Sequence, residues 1–386
     1  MKKFYIYSNG CSSNLLDGQR IIEYLRANDY SITNTPQEAD LLIVNTCAFE
    51  QISETDSLNK LKELKKLKGK IIVTGCLPAI NKEKMNEIID CDFVTPRDEN
   101  TWKKFDEIIH SKKSISTIPD PCILEYHPDW KIIGTYKAFK GAKIGKDLTG
   151  YDDGAYHIQV ARGCLGACSY CAIRYARGRL RSVPIKDIIT RFKKGLEKGY
   201  KSFKIWADDI GDYGKDLNTN LAELLEKMLA IKGDYELEIL CTNPRSYLEI
   251  FDQLLPCLKD KRVKYLNISM QSGSEKVLEM MNRPVDVQKV INSIQKIKQE
   301  APHVIVRTHY MVGFPQESWS DFYKTIQFIW ETKVFKCVIF RFFPRPNTPA
   351  EKMDGQISQF TKKLRYYILT SFTKIGSLIY EDGYSY

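Results

Sequence analysis

Cys164-Leu165-Gly166-Ala167-Cys168-Ser169-Tyr170-Cys171 puts three thiols within eight residues, directly behind an alternating stretch at 156–160 and ahead of a long strand-helix series. A loop opened by Gly163 and loosened by Gly166 lets three thiolates wrap one face of a metal centre. Structural zinc takes four ligands, commonly as separated pairs, and no fourth Cys or His stands nearby. Three ligands suit a 4Fe-4S cluster with one iron open to a small molecule. On spacing alone, zinc and a chance grouping are the alternatives.

Downstream of that loop the periodicity predicts helix 185–198, strand 202–207, helix 217–231, strand 236–240, helix 247–258, strand 265–268, helices 274–281 and 285–300, strand 304–311, helix 318–332 and strand 336–340. With 156–160 this makes six strands, the pattern of an open, partial (β/α)6 barrel. Upstream, residues 1–100 alternate in the same way: strands at 3–8, 40–45, 69–74 and 92–95, helices at 17–27, 54–67 and 81–89. That alternation predicts a parallel α/β sheet. Leu58, Leu61, Leu64 and Leu67 form one apolar stripe toward that sheet and leave the intervening lysines to water. Between the two series periodicity fades while Pro119, Pro121, Pro128, Gly134, Gly141, Gly145 and Gly150 accumulate. The expected organisation is an N-terminal α/β domain over 1–117, a linker over 118–153, the partial barrel over 154–355 and a C-terminal helical extension over 356–386.

The chain has 386 residues, 43% hydrophobic and 27% charged, which is ordinary globular usage and room for two or three domains. No stretch approaches a membrane span, and the N-terminus runs straight into a strand pattern, so the reading is a soluble, cytoplasmic protein without a membrane partner. The net charge of +10 suits an anionic partner without choosing one. Eleven cysteines, an odd number, argue against a disulfide framework and for reduced thiolates. Three of them end the first three long strands: Cys11 after Tyr5-Ile6-Tyr7-Ser8-Asn9-Gly10, Cys47 after Val44-Asn45-Thr46, and Cys76 after Val73-Thr74-Gly75. Strand ends of a parallel sheet share one edge, so thiols 36 and 29 residues apart converge there. The bland alternative is three small buried residues.

Cys164, Cys168 and Cys171, with Tyr170 before the last cysteine and a barrel-like series behind them, resemble the cluster motif of the radical S-adenosylmethionine superfamily. The second cysteine set makes the likeness more specific. Gly10-Cys11-Ser12-Ser13-Asn14-Leu15-Leu16-Asp17, Asn45-Thr46-Cys47, Ala176-Arg177-Gly178, Gln271-Ser272-Gly273-Ser274, Val312-Gly313-Phe314-Pro315 and Pro344-Arg345-Pro346-Asn347-Thr348-Pro349 resemble the radical methylthiotransferases over roughly residues 1–355. The resemblance implies two 4Fe-4S clusters, a radical cluster on Cys164/Cys168/Cys171 and an auxiliary one on Cys11/Cys47/Cys76. It also implies S-adenosylmethionine as both methyl donor and radical source, a sulfur source, and an external electron donor such as flavodoxin or ferredoxin. Reductive cleavage of the cofactor would give methionine and a 5′-deoxyadenosyl radical, and the auxiliary cluster's open iron would carry the sulfur inserted into a C–H bond.

Other residues are candidates for holding the cofactor. Asp208 and Asp209 end a strand and could meet its ribose or amino group or the substrate, or simply cap the next turn. Gln271 and Ser272 stand where barrel-type sites collect polar ligands. Arg307 could pair with a carboxylate or make a salt bridge on the barrel wall. Gly313, Phe314 and Pro315 shape a turn where backbone approaches adenine. His309 stands where the family usually carries an acidic residue, and Cys91, Cys122, Cys241, Cys257 and Cys337 read as small buried hydrophobes.

Family members usually carry a small C-terminal β-barrel that grips the macromolecular substrate; the 37 residues after Pro349 read instead as a helix over 359–380 and a short tail, with no room for a barrel. Local likeness points both ways. The stretches around Cys47 and Cys76 resemble the branch that modifies a ribosomal-protein aspartate. Those around Cys164, Tyr213-Gly214-Lys215-Asp216-Leu217 and Asn243-Pro244 resemble the branch acting on threonylcarbamoyl-adenosine in tRNA. The reading favours a peptide or small protein, such as a ribosomally made precursor with an acidic leader. The runner-up is tRNA bound by Lys137, Lys140, Lys143 and Lys146 or by Arg174, Arg177, Arg179 and Arg181. A further alternative is a radical enzyme whose second cluster only passes electrons.

Overall fold

The computed structural model describes residues 1–125, 127–131 and 154–380; most of the expected linker, including the four lysines from 137 to 146, and the tail 381–386 lie outside the described residues. The chain forms two compact units, Met1–Asp153 with Ala172–Gly178, and Gly154–Cys171 with Arg179–Tyr386.

In the first unit, strands β1 (Lys3–Ser8), β2 (Ser31–Ile32), β3 (Leu41–Thr46), β4 (Lys70–Gly75) and β5 (Asp92–Val94) form one parallel sheet in the order β2-β1-β3-β4-β5. Strand β3 is buried along its whole length, as an apolar run with neighbours on both sides requires. The helix Gln51–Leu64 lays Leu61 and Leu64 on Leu42, Val44 and Val73, with Leu58 and Leu67 half-buried beside them, as the stripe predicts. Two details differ from the periodicity. The expected helix at 81–89 is shortened to Lys82–Asn86, and a separate short helix, Leu77–Ile80, precedes it, with Asn81 between them turning its amide inward to Glu54. Helices Glu99–Trp102 and Lys104–Ile109 were not expected; a capping box between Asp98 and Thr101 starts them, and buried Trp102 and Phe105 hold them.

The second unit contains β6 (Tyr156–Gln159), the short antiparallel pair β7 (Ala161–Arg162) and β8 (Arg181–Ser182), and then β9 (Ser202–Trp206), β10 (Glu236–Thr242), β11 (Val263–Gln271), β12 (Ile305–Val312) and β13 (Cys337–Arg341). Apart from β7 and β8 the strands run parallel in one sheet whose order, β13-β12-β11-β10-β9-β6, follows the chain, and β6 and β13 are its two free edges. This is an open, partial (β/α)6 barrel. All six C-terminal strand ends lie on one edge, and the cysteine loop leaves from the end of β6 between β7 and β8.

Beyond β13 the described residues contain no further strand. They form a short turn at Pro349–Glu351 and the helix Gln359–Tyr380, so the extension is helical as expected. Lys362, Arg365, Leu369, Thr373 and Gly376 face inward, whereas Leu364, Tyr367, Ile368, Ile375 and Leu378 are exposed. Gly376 is required there, because a Cβ would stand 2.1 Å from the Phe335 ring. No helix among the described residues is long and apolar enough to cross a membrane.

Candidate active site

In the first unit, Cys11, Cys47 and Cys76 follow β1, β3 and β4, three neighbouring strands, so their common placement at one sheet edge is a consequence of the strand order. Cys47 and Cys76 are buried and Cys11 is half-buried. Burial pushes the Cys47 thiol well up, and negative charge at Cys76 and Cys11 would push it further, so the three sulfurs feel one another. A cationic centre that takes all three as thiolates removes that penalty. The backbone makes space for it. Gly10 sits at φ +110 and a Cβ there would stand 2.7 Å from the Cys47 sulfur; Gly75 sits at φ +89 and a Cβ there would stand 2.1 Å from the Thr46 carbonyl. Asn9 holds the arrangement from below: its Oδ1 accepts from the Cys47 amide at 2.9 Å, and its Nδ2 donates to the Ser53 carbonyl at 3.1 Å. Asn45 donates to Ser8 Oγ at 2.8 Å and to the Asn14 carbonyl. Asp17 and Arg177 form a fully buried ion pair between the helix Ser12–Ala27 and the helix Ile173–Arg177, which joins two of the stretches quoted for the resemblance.

In the second unit, Cys164 and Cys171 are half-buried and Cys168 is buried. A Cβ on Gly166 would stand 3.1 Å from the Cys164 sulfur and 3.9 Å from that of Cys168, so the loop curls its sulfurs around a bare glycine. The Gly166 amide donates to the Cys164 sulfur at 3.1 Å. Burial, followed by the charge of Asp209, pushes the Cys164 thiol up. Here too the donor set and the cradle fit a centre that accepts three thiolates. Among the described residues no three His, Cys, Asp or Glu side chains close around a single metal ion; a four-iron cluster spreads its ligands more widely than one ion.

The candidates around the loop divide by what they bond. Asp208 accepts from the Gly163 amide at 2.8 Å and so fixes the loop's first turn. Asp209 accepts from the amides of Gly211 and Asn243 and from Ser246 Oγ, each at 3.1 Å, which is the capping role; burial pushes its carboxyl up to about 6. Ser272 accepts from the Ser274 amide at 3.1 Å and lies beside Thr325, shaping the turn after β11. Gln271 is different: at the end of β11 it takes φ +72, and its buried Oε1 has no partner among the described residues. A strained residue aimed into a site with an unsatisfied carbonyl is a candidate ligand contact. Among the described residues Arg307 forms no salt bridge; its guanidinium stacks 4.0 Å over Tyr265. Gly313, at φ +77, donates to Glu317 at 2.6 Å, and Phe314 meets the Tyr170 ring edge-on at 6.4 Å. His309 sits buried between Asn267 Nδ2 at 3.2 Å and Ser269 Oγ at 3.1 Å, and burial lowers it to about 3, so it is a neutral imidazole. Of the five remaining candidate core cysteines only Cys257 is fully buried; Cys91, Cys122, Cys241 and Cys337 are half-buried, a correction to the reading of all five as core.

The sequence did not single out the turn Met280-Met281-Asn282-Arg283. Asn282 Nδ2 donates to the Ala167 carbonyl at 2.8 Å, the Ser169 amide donates to the Met281 carbonyl at 2.9 Å, and Ser169 Oγ donates to the Met280 carbonyl at 2.8 Å. Arg283 donates to the Cys168 sulfur at 3.5 Å and to the Ser269 carbonyl at 2.6 Å. The only local signal was Asn282, a residue that tolerates the left-handed turn, φ +53, at a helix end.

Two family models match the chain: the uncharacterized protein family UPF0004 over residues 3–96 and the radical SAM superfamily over residues 158–329. A probable threonylcarbamoyladenosine tRNA methylthiotransferase of Pyrococcus horikoshii is 31% identical over 353 residues, covering 91% of this chain and 79% of that one. The ribosomal protein uS12 methylthiotransferase RimO of Clostridium botulinum is 33% identical over 373 residues, covering 94% and 80%. Among solved structures, the radical S-adenosylmethionine methyltransferase TsrM from Kitasatospora setae superposes with TM-score 0.62 at 11% identity, over 91% of this chain and 77% of that one, a likeness of fold. The chain therefore belongs to the methylthiotransferase family of radical S-adenosylmethionine enzymes, whose chemistry implies a 4Fe-4S cluster and S-adenosylmethionine.

Proposed function

We propose that this enzyme replaces a hydrogen by SCH3 on a side chain of a peptide or small protein, with a radical cluster on Cys164, Cys168 and Cys171 and an auxiliary cluster on Cys11, Cys47 and Cys76. The observation that carries the chemistry is that each unit gathers three cysteines beside a bare glycine: Cys11, Cys47 and Cys76 at neighbouring strand ends beside Gly10, and Cys164, Cys168 and Cys171 in one loop around Gly166. The bound clusters and S-adenosylmethionine supply electron transfer, the hydrogen-abstracting radical, the methyl group and the sulfur carrier.

The protein's own side chains hold, orient and exclude water. Asp208 ties the first turn of the cysteine loop, and the Met280–Arg283 turn binds its middle. Tyr170 and Phe314 wall the loop with aromatic surface. Gln271 Oε1 offers an acceptor to a donor of the cofactor or substrate. Neutral His309 offers polarity without charge on the same strand pair, held by Asn267 and Ser269. In the first unit Asn9, Thr46 and Asn45 keep the three strand ends in register around the auxiliary site.

The protein-substrate reading is supported by the surface beside the site edge. The first turns of the helix Gln359–Tyr380 pack on the Gly313–Glu317 turn through Lys362 and Arg365, and next to them Trp319, Phe360 and Leu364 are exposed. RNA is gripped chiefly through phosphates by Lys and Arg, whereas an apolar face suits a polypeptide. The RimO relative acts, by its name, on a ribosomal protein. The Pyrococcus relative, named for tRNA, favours the second reading, a tRNA adenosine derivative. Such an enzyme works in the cytoplasm, where its electron donor and sulfur source are available.

The test is anaerobic reaction of the iron-reconstituted enzyme with reductant, S-adenosylmethionine and sulfide, offering protein uS12, acidic peptides and bulk tRNA in parallel, read by mass spectrometry. A gain of one SCH2 unit on polypeptide alone is expected. The same gain on a tRNA nucleoside alone would replace the substrate, and 5′-deoxyadenosine without any gain would favour the electron-relay alternative.

A further inference from the structure

We infer that Arg283 is the positioning residue that sets the reduction potential of the radical cluster, by placing a permanent positive charge and a hydrogen bond on the middle thiolate, Cys168. This inference rests on the reading that Cys164, Cys168 and Cys171 hold that cluster.

Arg283 is nearly buried, at 9% exposure, and among the described residues its guanidinium bonds two partners: the Cys168 sulfur at 3.5 Å and the Ser269 carbonyl at 2.6 Å. Its buried Nε has no partner among the described residues. Among the described residues no carboxylate forms an ion pair with it; the charges that act on it are those of Tyr170 and Cys168 in the cysteine loop and, after them, Asp209. A buried guanidinium without a carboxylate partner is costly, and the group is retained only where something anionic compensates it. The anionic group it bonds directly is the Cys168 sulfur of the cysteine loop, with Tyr170 of the same loop and Asp209 as further charges around it. The backbone places it there deliberately. Asn282 takes the left-handed turn that ends the helix Glu275–Met280, and three bonds, from Asn282 to the Ala167 carbonyl and from Ser169 to the Met280 and Met281 carbonyls, clamp the loop against the guanidinium.

The consequence is electrostatic. Reduction adds one electron, from a one-electron donor, to the iron-sulfur group and so adds one negative charge beside Arg283. A fixed positive charge in a low-dielectric site favours the reduced form and raises the potential, and hydrogen bonds to cluster sulfurs act in the same direction. Lysine would keep the charge; glutamine would keep a donor but lose it.

The experiment uses the full chain carrying Cys11→Ala, Cys47→Ala and Cys76→Ala, so that one cluster remains, and follows its reduced EPR signal in a dithionite-mediator titration. Iron uptake by that background supports the underlying reading, and an iron-free background overturns both. In the loaded background, Arg283→Gln is expected to weaken reduction at least tenfold, a fall of about 59 mV for a one-electron couple. Arg283→Lys should recover most of that fall. Asn282→Gly, which keeps the turn but drops the bond to Ala167, should shift reduction by much less than Arg283→Gln, which separates charge from loop anchoring. An unchanged midpoint in Arg283→Gln overturns the proposal alone. If Arg283→Gln takes up no iron, Arg283→Lys decides: a midpoint near the parent supports the inference, and a tenfold loss overturns it.

Discussion

The two cysteine triads are gathered by opposite routes. In the first unit the thiols stand 36 and 29 residues apart and are brought together by three neighbouring strands. In the second they lie within eight residues of loop and are brought to shape by a turn more than a hundred residues away, Arg283 reaching Cys168 across 115 positions. A sheet-built site is rigid because its geometry belongs to the core, so altering it means altering the core. A loop-built site is adaptable, and its precision depends on the clamp. The first arrangement suits a group held in one place, the second a group that must receive an electron and a cofactor in turn.

The most severe way to separate the triads is to remove one sulfur from each. Cys164→Ala should reduce S-adenosylmethionine cleavage to background, while Cys47→Ala should leave cleavage and stop methylthio insertion, both read from one reaction by mass spectrometry. Methylthiolated product from Cys47→Ala would remove the auxiliary site from the mechanism. Next in size is the ion pair under the first triad. Asp17 and Arg177 each retain 2% exposure, so Arg177→Leu strands a buried carboxylate and should cost about 3–5 kcal/mol in urea unfolding. Asp17→Leu with Arg177→Leu should recover much of that loss, because no charge is then left unpaired.

The second unit has its own electrostatic marker. Asp209 is pushed up to about 6 from its ordinary 3.8 because burial disfavours its carboxylate. The folded state therefore holds the proton more tightly than the unfolded chain. The stability this gives is complete below about pH 4 and is lost as pH rises through about 6, by up to about 3 kcal/mol. Asp209→Asn keeps an acceptor for the Gly211 and Asn243 amides and should flatten that decline, seen as urea midpoints at about pH 4 and about pH 8. Equal pH dependence in the two proteins would remove Asp209 as its source.

Much of this was legible in the sequence, and the pattern of omissions is physical. Strand periodicity and the residue after each strand put Cys11, Cys47 and Cys76 at one edge, because a parallel sheet makes edge position a function of sequence. The clustered Cys164, Cys168 and Cys171 declare themselves by spacing. What stayed hidden were bonds across long separations: Arg283 with Cys168, Asn282 with Ala167, Asp17 with Arg177. No local pattern encodes those partners. Asp208 and Asp209 looked alike as neighbours at a strand end, yet one ties the cysteine loop and the other caps a turn, a difference set by the direction in which each side chain leaves the strand. The short helices after Asp98 escaped because two turns carry too little periodicity to read.

The finest test of the comparison exchanges hydrogen for methyl at one glycine in each triad. At Gly10 the backbone has φ +110 and the added Cβ would stand 2.5 Å from the Cys47 Cβ, with Gly10 just past the end of β1 and Cys47 just past the end of β3. Nothing there can yield without moving β1 or β3. Gly10→Ala should therefore lose one cluster's share of reconstituted iron and about 1–3 kcal/mol of stability. At Gly166 the added Cβ would stand 3.1 Å from the Cys164 sulfur, in a loop whose neighbours Leu165 and Ala167 are exposed. That sulfur can turn, and Gly166→Ala should keep its iron and change stability by about 0.5 kcal/mol or less. Iron content separates the cases: equal retention would mean that the sheet edge is as adaptable as the loop, and the rigidity assigned to the strand-built triad would have to be abandoned.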